Sequence, residues 1–250
     1  MAVDELRTTL SRNGIPAEEL SVLVETVDGP VVMLPVAGPA AITLWRRLRG
    51  LVDETGRWPV ILGPEDDNDG YERLLEPFDH AEELFGATPS RIGTVDVGIW
   101  FAEARKRNAS RELHGAWPER ISPTNEVSMA RDWRTKALHP TLHIALPPVR
   151  HGWLVAAAFR YGGWNDCPWP WEHVAVHRYW FDRYGAEILS LNYEMIELEV
   201  TRPPRDREVA LRAAEEYFDY CQDIVLLHNL TIEVQAAILM ESTIWRFWWD

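Results

Sequence analysis

Residues 168–200 read PWPWEHVAVHRYWFDRYGAEILSLNYEMIELEV, and this stretch decides the fold. Its first part predicts a helix over Pro168–Tyr184, because prolines are tolerated in a first helical turn and Gly185 stands just past the end. Two strands are predicted next, over Ala186–Leu191 and Met195–Val200, and the second alternates apolar residues with glutamates. The stretch therefore predicts a helix that returns the chain to a β-sheet.

The flanking sequence extends this pattern in both directions. Two apolar strands are predicted before the helix, over Thr141–Leu146 and Trp153–Arg160. After the strands, Asp206 and Thr231 are suited to cap two further helices, and the second is expected to run into the tail. A strand-helix-strand unit followed by two helices is typical of an α/β or α+β fold, in which helices flank a mixed sheet with at least one parallel strand pair.

The N-terminal part also mixes helices and strands. The Asp28-Gly29 turn joins two apolar runs and predicts a β-hairpin. A helix is predicted over Pro39–Glu54, a strand over Trp58–Leu62 and a further helix over residues 96–107. After these, polar residues and prolines replace the periodic pattern. We therefore expect an N-terminal α/β region (1–107), a loop or linker (108–138) and a C-terminal domain (139–250).

Charge and composition narrow the class of protein. The formal net charge of the 250 residues is -14, the opposite of the basic surface that nucleic-acid binding requires. The sequence has no apolar run long enough for a membrane span, and no signal-peptide pattern at its start. The two cysteines are too few for a disulfide framework. We expect a cytoplasmic protein without a cofactor, whose acidic surface either serves solubility alone or captures a basic protein partner.

An acidic loop carries a partial calcium-binding pattern. Its candidate metal ligands are Glu65, Asp67, Asp69 and Glu76, which follow the spacing of the EF-hand loop around a glycine at Gly70. Against a calcium site, the first ligand position is glutamate and a strand, not a helix, is predicted to lead into the loop. The alternative is a solvated acidic loop.

Cys167, His173 and His177 are the candidate catalytic residues. The two histidines stand four positions apart on the predicted helix, a spacing with which two imidazoles can share one metal ion. Cys167 stands in the first turn of that helix, where a thiol pKa is lowered and a histidine can act as its base. The alternatives are a structural role for Cys167 as a small apolar residue, and packing or surface positions for the two histidines.

The junction before this helix is rich in tryptophan. Two glycines there permit a tight turn as the chain leaves the predicted strand, and Asp166 is placed to cap the helix. Exposed tryptophans are enriched at interaction sites, whereas buried ones belong to the core. The candidate binding residues of this junction are Trp164, Asn165, Asp166, Trp169 and Trp171.

Two further expectations concern the C-terminal part. Glu197 and Glu199 alternate with apolar residues on the strand Met195–Val200, so we expect them on its solvated face. The aromatic residues Phe247–Trp249 are expected to dock on the body of the protein, because exposed tails fray. Asp250 is a further candidate binding residue, with its carboxylates held by a cation at the end of a helix.

Several motifs of the C-terminal half resemble, in their order, a known family. They are Gly163-Trp164-Asn165-Asp166-Cys167-Pro168, Arg183-Tyr184-Gly185-Ala186-Glu187, Arg202-Pro203-Pro204, Tyr220-Cys221-Gln222-Asp223-Ile224-Val225 and Phe247-Trp248-Trp249-Asp250, with Trp180, Glu197 and Glu216. On these residues, the part from about residue 140 to residue 250 resembles the bacterial Domain of Unknown Function 4253 family. The resemblance implies no activity, because that family has none assigned.

Two classes of function stay open. The first is a non-enzymatic binding protein that captures a basic protein partner, of the immunity type by analogy with other small acidic bacterial domains. The alternative is a small-molecule enzyme or ligand-binding domain with its site at the junction Gly163–Pro168. The charge and the lack of a strong catalytic motif in the sequence favour the first.

Overall fold

One mixed β-sheet runs through the residues that the computed structural model describes, which are 1–26, 28–64, 88–108, 113–228 and 230–249. Its strands are β1 (Ser21–Val24), β2 (Val31–Ala37), β3 (Val60–Leu62), β4 (Thr141–Leu146), β5 (Ala186–Leu191), β6 (Met195–Val200) and β7 (Ile244–Trp248).

Helices within the described residues flank the sheet. They are α1 (Val3–Arg12), α2 (Ala41–Arg49), α3 (Val52–Thr55), α4 (Thr88–Arg91), α5 (Val97–Asn108), α6 (Val155–Ala158), α7 (Pro170–Tyr184), α8 (Arg207–Tyr220), α9 (Asp223–Leu227) and α10 (Ile232–Glu241). Short 3-10 helices lie at Gly38–Ala40, Ser128–Ala130 and Gly152–Leu154. None of the described helices is both long and apolar enough to cross a membrane.

The strand order β1-β2-β4-β3-β5-β6-β7 confirms the mixed sheet and its parallel pair. β3 lies between β4 and β5, antiparallel to the first and parallel to the second, with Ile61 opposite Ser190. The sheet and its hydrophobic core thus take residues from both the 1–107 and the 139–250 regions. The proposed division into two regions and a linker stays a prediction.

The stretch that decides the fold has the predicted elements. Gly185 follows the end of α7 with a left-handed backbone (φ 59°), and a Cβ atom there would lie 2.1 Å from Oγ1 of Thr201. Glycine is therefore required where the chain turns from α7 into β5. Trp180 of α7 is fully buried and stacks on Phe247 of β7 at 5.3 Å, which fixes the helix on the sheet.

The predicted strand Trp153–Arg160 is wrong. These residues form part of a 3-10 turn and then helix α6, which packs against α7. Both sides of β4 are already paired, with β2 and with β3, so the sheet has no place for a strand beside it. Periodicity alone does not distinguish a short buried strand from a short buried helix, which explains the error.

The last described residues form a strand and not the predicted end of a helix. Helix α10 ends at Glu241, and β7 pairs antiparallel with β6 at one edge of the sheet. Phe247 is fully buried and Trp249 is 2% exposed. The tail is docked, but by strand pairing and not through a helix. Asp250 lies outside the described residues.

Glu197 is also a correction, because its side chain is fully buried and not solvated. Its carboxylate accepts hydrogen bonds from the hydroxyls of Ser128 (2.6 Å) and Ser190 (2.8 Å). Its cationic partner is Arg246, whose Nε lies 3.0 Å away on β7. The alternation along β6 is correct, but the segment at Ser128 covers the second face of the sheet at this point. Glu199 is partly exposed and pairs with an arginine at the surface.

Candidate functional site

Three segments that are distant in sequence meet at one end of the C-terminal part. They are the turn 162–169, the end of α8 and the end of β7. The Cys221 thiol donates a hydrogen bond to the Trp248 carbonyl oxygen (3.1 Å), and the Gln222 amide donates one to Asp166 (3.5 Å). All three segments carry motifs of the family resemblance, so the structure brings those motifs together.

The turn 162–169 is shaped by its glycines. Gly162 has φ 105°, and a Cβ atom there would lie 1.9 Å from the Pro168 carbonyl oxygen. Gly163 has φ 88° and donates its N–H to the same oxygen at 3.0 Å. A side chain at Gly162 would therefore force the turn open.

Helix α7 begins later than predicted, which changes the role of Asp166. The first helical residue is Pro170, and the backbone N–H of Trp169 donates to the carboxylate of Glu172 at 2.8 Å. The expected capping role of Asp166 is therefore wrong, and its exposed carboxylate bonds Gln222. The junction also follows a helix and not a strand, because α6 replaces the predicted strand.

The three candidate catalytic residues lie together in a buried chain of polar groups. Sγ of Cys167 is 3.5 Å from Nε2 of His173. The hydroxyl of Tyr220 bridges the two histidines, at 2.5 Å from Nδ1 of His173 and 2.7 Å from Nε2 of His177. The spacing of four residues therefore does place both imidazoles on one face, although the group between them is a phenol.

One arrangement of protons fits this chain best. A phenol has a single proton, so Tyr220 donates to one histidine and accepts from the other. If it donates to His173, the Nε2–H of His173 points to Cys167 and the Pro168 carbonyl, and His177 donates to Tyr220. Nδ1 of His177, which has no partner among the described residues, is then an acceptor. An unpaired acceptor costs less than a buried N–H donor.

Burial keeps these groups neutral. Desolvation lowers the pKa of His177 to about 3, and it lowers the pKa of His173 well below its usual value, with the neighbouring His177 contributing. Burial also raises the pKa of the Cys167 thiol well above its usual value. The lowering expected from a first helical turn does not apply, because α7 begins at Pro170, three residues after Cys167. Burial also disfavours the thiolate, which would have to form away from water.

The described residues contain no group of three or more His, Cys, Asp or Glu side chains placed to hold a metal ion. Tyr220 bonds one nitrogen of each histidine, and those nitrogens would be needed for shared metal binding. The calcium-loop residues Glu65, Asp67, Asp69 and Glu76 lie outside the described residues.

An aromatic pair forms the outer part of the junction. Trp164 is half-buried and stacks on Tyr193 with ring centroids 5.5 Å apart and planes at 13°. The edge of Trp164 also meets the buried ring of Tyr161 at 4.8 Å. Trp169 and Trp171 stack on each other at 5.4 Å, with Trp171 buried and Trp169 half-buried.

Three carboxylates lie on the segments that carry the aromatic pair or that contact those segments. Asp166 is exposed at the tip of the turn, next to the exposed Asn165. Burial raises the pKa of Tyr161 well above its usual value, and the negative charge of Glu194 contributes to that rise. Burial is also the main cause of the raised pKa of Cys167, and the negative charge of Asp223 contributes a smaller part of that rise. We call this surface the acidic aromatic rim: Trp164, Tyr193, Asp166, Glu194 and Asp223.

Sequence reasoning gave no role in a site to Tyr220, Tyr161 or Tyr193, although Tyr220 stands in one of the motifs of the family resemblance. Tyr220 precedes Cys221 on a helix, and its bond to two histidines of another helix leaves no local pattern. Tyr161 precedes the paired glycines and Tyr193 lies in the β5–β6 turn. Neither position has a spacing that indicates a site.

Comparison with known proteins supports the resemblance of this half of the chain. Residues 143–250 match the family model described as "Domain of unknown function (DUF4253)". The match includes the whole turn 162–169, α8 and β7. No curated protein and no solved structure matches the chain.

Proposed function

We propose that this protein is a non-enzymatic binding protein that captures a basic protein partner on its acidic aromatic rim. The observation that carries the proposal is a stacked Trp164–Tyr193 pair with carboxylates on the same and contacting segments. Asp166 and Glu194 lie within two residues of the pair, and Asp223 adjoins Gln222, whose amide donates to Asp166. Aromatic faces attract lysine and arginine side chains, and carboxylates at the rim of the same surface complement their charge.

The charge of the whole chain supports the same reading. A net charge of -14 produces a field that speeds the approach of a basic protein and repels acidic ones. The rim is also held in place before binding, because Trp164 is fixed between Tyr161 and Tyr193. A rigid aromatic anchor loses little conformational entropy when a partner binds.

The buried polar chain favours binding over covalent catalysis. The Cys167 thiol is 5% exposed and its pKa is raised by burial, so at neutral pH it is a protonated thiol away from solvent. A nucleophile requires the thiolate. In this proposal the buried polar groups of Cys167, His173 and Tyr220 have a structural role beneath the rim. His173 contacts the ring of Tyr161, and Trp164 packs on that ring. A cytoplasmic immunity-type role, in which the protein neutralises a basic toxin, is the form of binding that we favour.

The experiment compares two charge-reversed variants of equal net charge. Asp166→Lys combined with Asp223→Lys alters the rim, and Glu18→Lys combined with Glu19→Lys alters exposed residues before β1, at the opposite edge of the sheet. Immobilised wild-type protein is expected to retain a basic protein from extracts of the source cells at about 50 mM salt, and to lose it at about 500 mM. The rim variant should lose that protein and the control variant should retain it.

Two outcomes count against the proposal. One is that wild-type protein retains no basic protein at low salt. The other is that both variants lose the partner equally, because the net charge and not the rim would then be responsible. Circular dichroism of each variant checks that both are folded.

The same junction favours a second candidate function, the binding of a small polar molecule. The Tyr161 hydroxyl, Nδ1 of His177 and Nε1 of Trp249 are buried without a hydrogen-bond partner among the described residues. Buried polar groups usually have partners, and a small polar ligand can supply them. A compound that raises the melting temperature of the wild type but not of Cys167→Ala supports this function. If no compound in a broad screen of polar molecules raises the melting temperature of the wild type or of the variant, small-molecule binding at this junction is ruled out.

A further inference from the structure

A large cleft lies away from the acidic aromatic rim. It has a volume of about 1070 Å³ and is formed by the start of α1, the β1–β2 turn, the turn between α3 and β3, and the segment from Pro148 to Arg160. This is slightly above the range of about 300–1,000 Å³ that small-molecule sites occupy.

A buried arginine lies in the wall of this cleft. Arg57 is 3% exposed, although arginine is almost never buried without a partner. Its Nη1 donates to the carbonyl oxygens of Pro30 and Leu146, both at 2.7 Å, and its Nη2 donates to that of Met1 at 3.4 Å. Burial lowers the pKa of Arg57, and no carboxylate of the described residues forms an ion pair with it.

The carbonyl bonds hold the guanidinium rigidly but leave donors unused. A guanidinium has five N–H donors, and the three bonds of Arg57 occupy at most three of them. Carbonyl oxygens are neutral and do not cancel the positive charge of the guanidinium. An anionic ligand would therefore stabilise this buried cation.

A second arginine, from the segment after β4, contacts the turn between α3 and β3. Nη2 of Arg150 lies 3.5 Å from the position of a Cβ atom at Gly56, the residue next to Arg57. Its Nη1 donates to the Asp53 carbonyl oxygen at 3.2 Å. The exposed Arg150 thereby stands at the mouth of the cleft near the buried Arg57.

Other charged residues also line the cleft. They are Arg160 and the acidic residues Glu5, Asp28 and Glu54. The carboxylate of Glu54 is bound by Arg12, which does not line the cleft. The wall thus carries three arginines and three acidic residues, whereas the whole protein has a net charge of -14.

Apolar residues form another part of the wall. Val149, Leu154 and Ala157 line the cleft beside the arginines. The combination of an apolar wall with a few fixed charged donors is typical of a small-molecule site.

We propose that this cleft binds a small amphipathic organic anion, with its carboxylate or phosphate on Arg57 and Arg150 and its apolar body against Val149, Leu154 and Ala157. Arginine is suited to this task because its planar fork matches both anions. The site is independent of the proposed partner binding at the rim.

The test uses three probes with one alkyl chain: octanoate, octyl phosphate and the uncharged 1-octanol. Titration calorimetry of the wild type should show binding of at least one anion, and at least about tenfold weaker binding of the alcohol. Arg150→Gln should weaken the anion by about tenfold, as expected for the loss of a charge-assisted hydrogen bond. The matched control is Arg47→Gln, since Arg47 is also exposed and also bonds backbone carbonyls, but lies outside the cleft.

The two anions separate the possible headgroups. Tighter binding of octanoate assigns a carboxylate ligand, and tighter binding of octyl phosphate assigns a phosphate ester. The proposal is overturned if neither anion binds at millimolar concentration, if 1-octanol binds as tightly as the anions, or if Arg150→Gln and Arg47→Gln bind the anion equally well.

A second variant addresses the buried arginine. Arg57→Gln is expected to bind the anion at least about tenfold more weakly than the wild type if it is folded. If it does not fold, the comparison of Arg150→Gln with Arg47→Gln decides alone.

Discussion

Replacing Arg246 with methionine is expected to lower the free energy of unfolding by about 3 kcal/mol. Arg246 of β7 stands directly opposite Glu197 of β6, and it is the cationic partner of that fully buried carboxylate. Methionine has a similar length and no charge. The change therefore removes the cation while keeping most of the apolar contact.

The structure sets this magnitude. Removing one partner of a buried ion pair costs about 3–5 kcal/mol, because the other charge is left uncompensated. Glu197 would keep three neutral donors, the hydroxyls of Ser128 and Ser190 and the backbone N–H of Ser128. The side chain of Arg246 is also 32% exposed, so water can partly replace it. Both facts place the expected cost at the lower end.

The matched control is Arg46→Met. Arg46 pairs with Glu199, two residues along the same strand, but the two side chains are 65% and 18% exposed. Surface pairs of this kind contribute about 0–1 kcal/mol. The difference between the two variants therefore isolates the effect of burial on otherwise similar arginine–glutamate pairs.

Urea unfolding followed by tryptophan fluorescence measures both variants at neutral pH. A double-mutant cycle with Glu197→Gln should give a coupling energy of about 1–3 kcal/mol, since glutamine leaves no buried charge. The reasoning is refuted if Arg246→Met costs no more than Arg46→Met, or if the cycle shows no coupling.

Two further predictions concern the buried histidines and the tail. As the pH falls from about 6.5 toward about 3, the free energy of unfolding should fall by about 1.4 kcal/mol per pH unit through His177, because the unfolded chain binds a proton that the folded chain does not. The lowered pKa of His173 acts in the same direction. Asp219, whose pKa burial raises to about 6, opposes this trend below that pH. Between pH 8 and pH 4, the melting temperature of His177→Leu should depend less on pH than that of the wild type. His151→Gln changes an exposed histidine and serves as the control, with the pH dependence of the wild type. Identical profiles for all three proteins would contradict the burial of a neutral His177. Removing Phe247–Asp250 should destabilise the protein by at least about 3–5 kcal/mol, the usual cost of one buried aromatic, and a truncated protein that melted like the full chain would show that the tail is not docked.

The candidate site was predictable only where its pattern is local. The spacing of His173 and His177 indicates that both imidazoles face the same way, and the structure places them within reach of one hydroxyl. The glycines before Trp164 indicate a tight turn, and both have positive φ. The identity of the bridging group, Tyr220, was not predictable because it comes from a different helix.

Local physics explains what the sequence determined by itself. The side chains of Asp206 and Thr231 cap α8 and α10 by accepting hydrogen bonds from the backbone N–H groups of Val209 and Val234. Gly185 ends α7 with a left-handed backbone conformation. Each of these depends on residues within one helical turn, so neighbouring residues suffice to predict it.

The tertiary structure alone decided the surroundings of each face. Glu197 and Glu199 are equivalent in the pattern of β6, yet the first is buried under Ser128 and the second is partly exposed. Arg57 is a second example. Its neighbours in the sequence do not distinguish it from an ordinary surface arginine, yet it is buried. Periodicity states which side of a strand or helix a residue faces, whereas burial and charge depend on which distant segment covers that side.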